Sequence, residues 1–188
     1  FPYLKVKIVI LFAPTFCGNG QNTAYYDFTW INFKRIKETL GEEYCFLVKI
    51  HPFVKNLESI PEDDGFFLNL TSYREINDLL FITDILITDY SSVIFEGSLL
   101  DLDTVFFVPD LKEYVESRDF YYPFDEYMFG KMAKNEKELI RAIKDPESDN
   151  TKRERFKLKF CGACDGRSTE RVVEELFAGE NSDNGKTN

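Results

Sequence analysis

Residues 81–100 read FITDILITDYSSVIFEGSLL. Ile85, Leu86 and Ile87 form a short apolar run rich in β-branched side chains, the pattern of a strand buried on both faces of a parallel sheet. The run stops at Thr88-Asp89-Tyr90-Ser91-Ser92. Apolar residues then return at helical spacing as Val93, Ile94, Phe95, Leu99 and Leu100. Ser91 or Ser92 is the expected N-cap, and Glu96 is placed to complete a capping-box-like pair. A strand that ends in small hydroxyl residues and turns into a helix directs unpaired backbone N–H groups to one spot, which suits an anion. An ordinary capped turn between strand and helix has the same pattern, so both readings stay open here.

Outward from this stretch, strands and helices alternate. Residues 5–12 (KVKIVILF) read as a strand, closed by Ala13-Pro14-Thr15, and residues 16–26 read as a polar, glycine-bearing loop long enough to cover a site. Asp27 is the expected N-cap of a helix reaching about Leu40, stopped by Gly41. Residues 44–50 (YCFLVKI) form a second strand that runs directly into His51-Pro52-Phe53, and residues 65–69 a third. Ser72 is expected to cap a helix over about 74–81. Beyond the central stretch, residues 104–108 (TVFFV) read as a fifth strand. Residues 110–132 break into acids and aromatics, read as loop with short helical turns. Helices are expected over 135–144, about 151–160 and 168–177, followed by a polar tail, 179–188, expected to be disordered.

This alternation calls for an α/β fold, a doubly wound parallel sheet with helices on both faces. Ligands of such sheets bind at the carboxyl ends of the strands, near the topological switch point. That rule gathers Thr15, His51, residues 88–92 and the loop carrying Arg118 at one edge.

The chain of 188 residues is long enough for one domain with a substantial core. Its net charge of −10 argues against general nucleic-acid binding, and no apolar run approaches the roughly 18–20 residues that span a bilayer. The sequence starts at Phe1, from which we expect a piece of a longer protein. Cys17 and Cys45 are scattered, whereas Cys161-Gly162-Ala163-Cys164 is a CxxC. It follows a charged helical stretch rather than a strand, and the single His51 offers no zinc spacing, so inert thiols are expected.

Several residues have the chemistry for a phosphate ligand. His51 can hold a phosphate oxygen or move a proton near neutrality, and Pro52 restricts its backbone to extended conformations. Its plain alternative is a histidine bonded to a loop carbonyl. Asp89 can bind a metal, accept a phosphoryl group or bond sugar hydroxyls, or it can merely cap a turn. Glu96 lies about one turn into its helix, placed for a ribose hydroxyl or for solvent. Arg118 can pair with a diphosphate, or form a surface ion pair of little weight.

The segments LFAPTF (11–16), VKIHPF (48–53), TDILITDYSSVIFEGSLL (83–100), RDFYYPFDE (118–126), NEKELIRAI (135–143) and CDGRSTERV (164–172) together resemble the C-terminal half of the CDP-glycerol glycerophosphotransferases, the teichoic acid polymerases and primases. That family is similar to GT-B glycosyltransferases, whose two Rossmann-like domains face each other. The resemblance implies that residues 1–178 form the nucleotide-donor-binding domain, a Rossmann-like GT-B C-terminal domain within a larger enzyme. It implies a CDP-glycerol or similar CDP-polyol donor, a polymeric or lipid-linked acceptor met through a separate N-terminal domain, and no cofactor or metal. It places His51 on the donor diphosphate as the catalytic residue. Thr15, Pro52, Thr88, Asp89, Ser91, Ser92, Glu96 and Arg118 would line the donor site. A cytoplasmic enzyme, peripheral at the inner face of the membrane, is the implied setting.

The chain departs from the family's pattern at three places. Cys17 stands where an arginine is frequent, Phe129-Gly130-Lys131 replaces a Pro-Gly-Pro, and Phe120 follows Asp119 in place of glycine. The family's second histidine belongs to the other domain, so this chain alone is expected to bind donor without turnover. One alternative is a GT-B domain that uses another nucleotide sugar. A receiver-like signalling domain with Asp89 as phosphoacceptor is another. The receiver needs acids after the first strand and a lysine after the last, where this chain has Ala13-Pro14-Thr15 and Pro109-Asp110.

Overall fold

In the first three central strands, alternate residues feed two separate cores. The computed structural model describes residues 7–118 and 120–178. In β1 (Ile8–Phe12), Ile10 and Phe12 join one apolar cluster while Val9 and Leu11 join another; β2 (Tyr44–Val48) divides in the same way between Phe46 and Val48, and Cys45 and Leu47. In β4 (Ile85–Thr88), Ile85 and Ile87 face the first cluster and Leu86 the second. A strand buried on both faces needs helices above and below it.

The sheet has six parallel strands in the order β3-β2-β1-β4-β5-β6, completed by β3 (Phe67–Asn69), β5 (Asp103–Phe107) and β6 (Lys131–Ala133). The chain reverses its winding between β1 and β4, so the switch point lies at their carboxyl ends. Apolar residues of α1 (Phe33–Leu40) and α6 (Glu136–Lys144) cover the first cluster. The second cluster holds Leu79 and Leu80 of α2 (Ile76–Leu80) and Val93 of α3 (Val93–Leu99). Two short helices, α4 (Leu111–Ser117) and α5 (Phe124–Tyr127), follow β5. Near the carboxyl end, α7 (Asn150–Phe160) stacks Phe156 on Phe95 of α3 at 5.4 Å between ring centroids. The last described helix, α8 (Ser168–Phe177), buries none of its residues.

The doubly wound architecture agrees with the sequence pattern, but several boundaries moved. Asp27 caps only the short 3-10 turn Phe28–Trp30, and Asn32 caps α1 by accepting from the Arg35 amide. Between them, Ile31 is extended, which lets Phe28, Ile31 and Phe33 all reach the core. Ser72 caps nothing; α2 starts at Ile76 after Glu75, whose side chain makes no capping bond. No side-chain cap forms at Ser92 either, so the expected capping box with Glu96 is absent, and Ser91 Oγ instead accepts from the Val93 amide at 3.4 Å. The 110–132 region holds two helices and the edge strand β6, which at three residues is too short to show a period. Residues 5 and 6 of the first expected strand and the tail 179–188 lie outside the described residues.

Gly130, between α5 and β6, is fixed by close approach. A Cβ there would run into the backbone carbonyl of Thr104 on β5. Gly130→Ala should therefore lower stability by about 2 kcal/mol, the usual size of an overpacking defect. Urea unfolding measures this, and an unchanged midpoint would show that the segment before β6 moves aside freely.

Candidate functional site

The switch point is held shut by one carboxylate. Asp89 follows β4 and is 8% exposed. Its two oxygens accept from the Thr15 amide at 2.8 and 3.0 Å, and Oδ1 also accepts from the amides of Tyr90 and Ser91 at 2.6 and 3.1 Å. One residue earlier, the buried Thr88 hydroxyl donates to the Ala13 carbonyl at 2.9 Å. The loops after β1 and β4 are thus sewn together. Burial pushes the Asp89 carboxyl up to about 7, while its three amide donors pull the other way and Asp110 adds to the rise. A carboxylate so enclosed cannot be presented to a phosphodonor, and the receiver-like alternative fails on this geometry. Thr88 and Asp89 shape the edge of the sheet, and their polar atoms face protein.

His51 lies three residues past the end of β2, its ring between Phe16 and Phe53 at centroid distances of 4.8 and 4.7 Å. Nδ1 accepts from the Phe53 amide at 3.2 Å. A backbone N–H can only donate, so the neutral ring carries its proton on Nε2, which is left as a donor. Burial, and then the charge of Lys49, lowers the imidazole pKa from its ordinary value. The ring is a neutral hydrogen-bond donor near pH 7. Pro52 is exposed beside it.

A cleft of about 370 Å³ opens above the switch point, lined by Thr15, Phe16, Gly18, Asp89, Asp110, Glu113, Tyr114 and Arg118 among others. The Arg118 guanidinium donates to the Gly18 carbonyl and lies over the rings of Tyr114 and Phe16, 5.5 and 6.0 Å from their centroids. Gly18 has φ of +96°, a conformation that favours glycine, and this turns its carbonyl toward Arg118. The loop itself is pinned by paired backbone bonds between Cys17 and Tyr25. Burial raises the Cys17 thiol to about 11, with Asp110 and Asp89 adding to the rise.

Ser91 and Ser92 line an adjoining apolar pocket of about 270 Å³ with Ile94, Phe95, Phe106 and Phe124. Asp89 and Tyr90 border both cavities. His51 touches the cleft only through Phe16, and Glu96 is exposed on α3 and lines neither cavity. The structure therefore brings Thr15, Asp89, Ser91, Ser92 and Arg118 together, sets His51 on one flank, and leaves Glu96 outside.

Sequence reasoning missed the aromatic wall. Tyr90 stacks on Tyr114 at 3.7 Å and donates its hydroxyl to Asp110 at 3.0 Å; Phe120 stacks on Phe124 at 4.8 Å. The only signal was the density of rings in 114–124, which carries no period. The CxxC sits between α7 and α8 as free thiols, and burial raises rather than lowers the Cys161 pKa, the opposite of an activated thiol. Among the described residues no three His, Cys, Asp or Glu side chains are grouped to hold a metal, and no helix is long and apolar enough to cross a membrane.

Strand order and the closed switch point define a Rossmann-like α/β domain. Residues 2–178 match the model of the family described as CDP-Glycerol:Poly(glycerophosphate) glycerophosphotransferase, and the chain belongs to that family. It is 46% identical over 177 residues to a teichoic acid poly(ribitol-phosphate) polymerase of Bacillus spizizenii, covering 94% of this chain and 29% of that protein. To a teichoic acid poly(glycerol phosphate) polymerase of Bacillus subtilis it is 34% identical over 184 residues, covering 93% of this chain and 24% of that protein. The chain thus spans less than a third of the length of either relative. The fold resembles the solved wall teichoic acid polymerase TagF with a TM-score of 0.74 at 24% identity, over 98% of this chain and 46% of that one.

Two titrations follow from these environments. The single histidine should titrate by NMR below the ordinary value of about 6.5, and the stability tied to its neutral ring should fall as pH drops through that lowered midpoint. A midpoint at or above 6.5 would contradict the half-buried ring beside Lys49. For Asp89, whose carboxyl is raised to about 7, the sign is opposite: its contribution is complete below about pH 4 and is lost as pH rises through 7. Asp89→Asn should flatten that slope with little loss at neutral pH. Asp89→Ala, which strips an acceptor from three amides, should be about 2 kcal/mol less stable than Asp89→Asn at every pH, since neither side chain titrates. Equal denaturation curves for the two variants would refute the clamp.

Proposed function

We propose that residues 1–178 are the donor-binding domain of an enzyme that transfers a polyol phosphate from a CDP-polyol to a teichoic-acid-type acceptor. The observation that carries this is that Thr15, Asp89, Ser91, Ser92 and Arg118, with His51 on one flank, gather at the switch point of a Rossmann-like sheet, where ligands of this architecture bind. In this reading the acceptor hydroxyl attacks the β-phosphate of the donor, the bond to the α-phosphate's bridging oxygen breaks, and CMP leaves. His51 donates from Nε2 to a diphosphate oxygen, and Ser91, Ser92 and Arg118 hold the others, so charge growing on the leaving CMP meets fixed donors. Asp110, Glu113 and the aromatic wall suit the uncharged parts of the ligand, the hydroxyls and the base. Pro52 and Thr15 shape the same edge; Thr88 and Asp89 act through the loops they join, and Glu96 contributes only if the bound donor reaches over α3.

Higher identity to the ribitol-phosphate relative, 46% against 34% for the glycerol-phosphate one, favours ribitol phosphate as the transferred group over glycerol phosphate. The acceptor is bound, and its hydroxyl proton taken by a base, on protein outside this chain, in a cytoplasmic enzyme working at the inner face of the membrane. Titration calorimetry with CDP-ribitol, CDP-glycerol and a UDP-sugar tests the reading. The CDP ligands should bind, and His51→Ala, Ser92→Ala and Arg118→Ala should each weaken them about tenfold, the worth of one charge-assisted hydrogen bond. Preference for the UDP-sugar would turn the assignment to a nucleotide-sugar transferase.

A further inference from the structure

Lys49 is a buried cation without an anion. It immediately follows β2, is 8% exposed, and its ammonium donates to the Thr71 carbonyl at 3.0 Å. An ammonium has three donors, and among the described residues no second acceptor and no carboxylate at ion-pair distance serves the other two. Burying a charge is expensive unless it is paired. Nothing in the core requires it: its neighbours on that face, Cys45 and Leu47, are apolar, and a methionine would fill the same space.

Its position supplies the explanation. The Lys49 amide donates to the Phe12 carbonyl at the end of β1, so the side chain leaves the sheet at the edge that carries the candidate site, two residues before His51. Strands β2 and β4 flank β1 on opposite sides. The ammonium leans toward the loop after β3, where Thr71 lies, and its charge is felt at the His51 ring, which it helps to keep neutral. On the β4 side a phosphate ligand meets the serine hydroxyls. The cleft beyond them carries the acids Asp110 and Glu113 against the one arginine named for it, so a polyanion needs positive charge from the β2 side. His51, held neutral, does not supply it.

We propose that Lys49 is a further anion-binding residue of this site, its ammonium, which has no anionic partner, taking a phosphate oxygen of the ligand beside His51. This rests on the donor-binding reading for the identity of the ligand, though not for its charge. Calorimetry on Lys49→Met and Lys49→Arg, with CDP-ribitol, inorganic pyrophosphate and uncharged cytidine as probes, tests it. The methionine variant should bind CDP-ribitol and pyrophosphate about tenfold more weakly, hold cytidine as the wild type does, and melt no lower than the wild type; arginine should restore part of the loss. A residue that only supported the fold would weaken all three probes together and lower the melting temperature, which would overturn the proposal. Unchanged CDP-ribitol affinity in Lys49→Met would overturn it while leaving the donor reading intact. Lys49-dependent binding of pyrophosphate without any binding of CDP-ribitol would sustain the anion site and sink the donor reading. Binding of none of the phosphate probes by the folded wild type would overturn both.

Discussion

The arrangement of this site depends on a carboxylate that the fold keeps out of water. Asp89 gives the loop after β1 and the loop after β4 a shared acceptor, and without it the amides of Thr15, Tyr90 and Ser91 would be left without their partner. The two strands are neighbours in the sheet but far apart in sequence, so nothing local brings their ends into register beyond the ladder itself. Burial acts against the ionised form and the three N–H groups act for it. The balance leaves a group near neutrality whose oxygens all face protein. It positions the turn carrying Ser91 and Ser92 and is not itself turned to the cleft.

Around this clamp the loops are stiffened by rings. Tyr90, Tyr114, Phe120 and Phe124 stack in sequence on one side, and Phe16, His51 and Phe53 pack on the other. Each contact is worth about 1 kcal/mol beyond the area it buries. Together they hold segments that lack a regular ladder of their own. Donors and hydroxyls set in such loops need little rearrangement when charge arrives, which is the condition under which they stabilise it most.

Electrostatics sets a second constraint. A chain with a net charge of −10 repels polyanions at long range, and its cleft adds further acids. Any phosphate ligand must be held by short-range donors and a few local cations. On the proposed donor-binding reading, Asp110 and Glu113 would favour hydroxyl-bearing groups of the ligand over further phosphates.

The sequence by itself determined the first five strands, the alternation that makes them parallel and doubly buried, and the family motifs near their carboxyl ends. Ile85-Leu86-Ile87 could be read because a strand buried on both faces needs an unbroken apolar run, and that is a local property. Helix starts were less legible. Asp27, Ser72 and Ser92 all have capping chemistry, but whether a cap forms is decided by where the core needs the next apolar residue. The edge strand β6 was invisible because three residues carry no period. Only the tertiary structure decided the roles within the site. Asp89 and Asp110 are alike as sequence, yet one is enclosed by amides and the other takes a tyrosine hydroxyl at the cleft. His51 became a neutral donor through the Phe53 amide, and Lys49 an unpaired cation through the absence of any facing carboxylate among the described residues. Charge, tautomer and accessibility depend on what residues distant in the chain bring close, and that proximity is fixed by packing rather than by the order of residues.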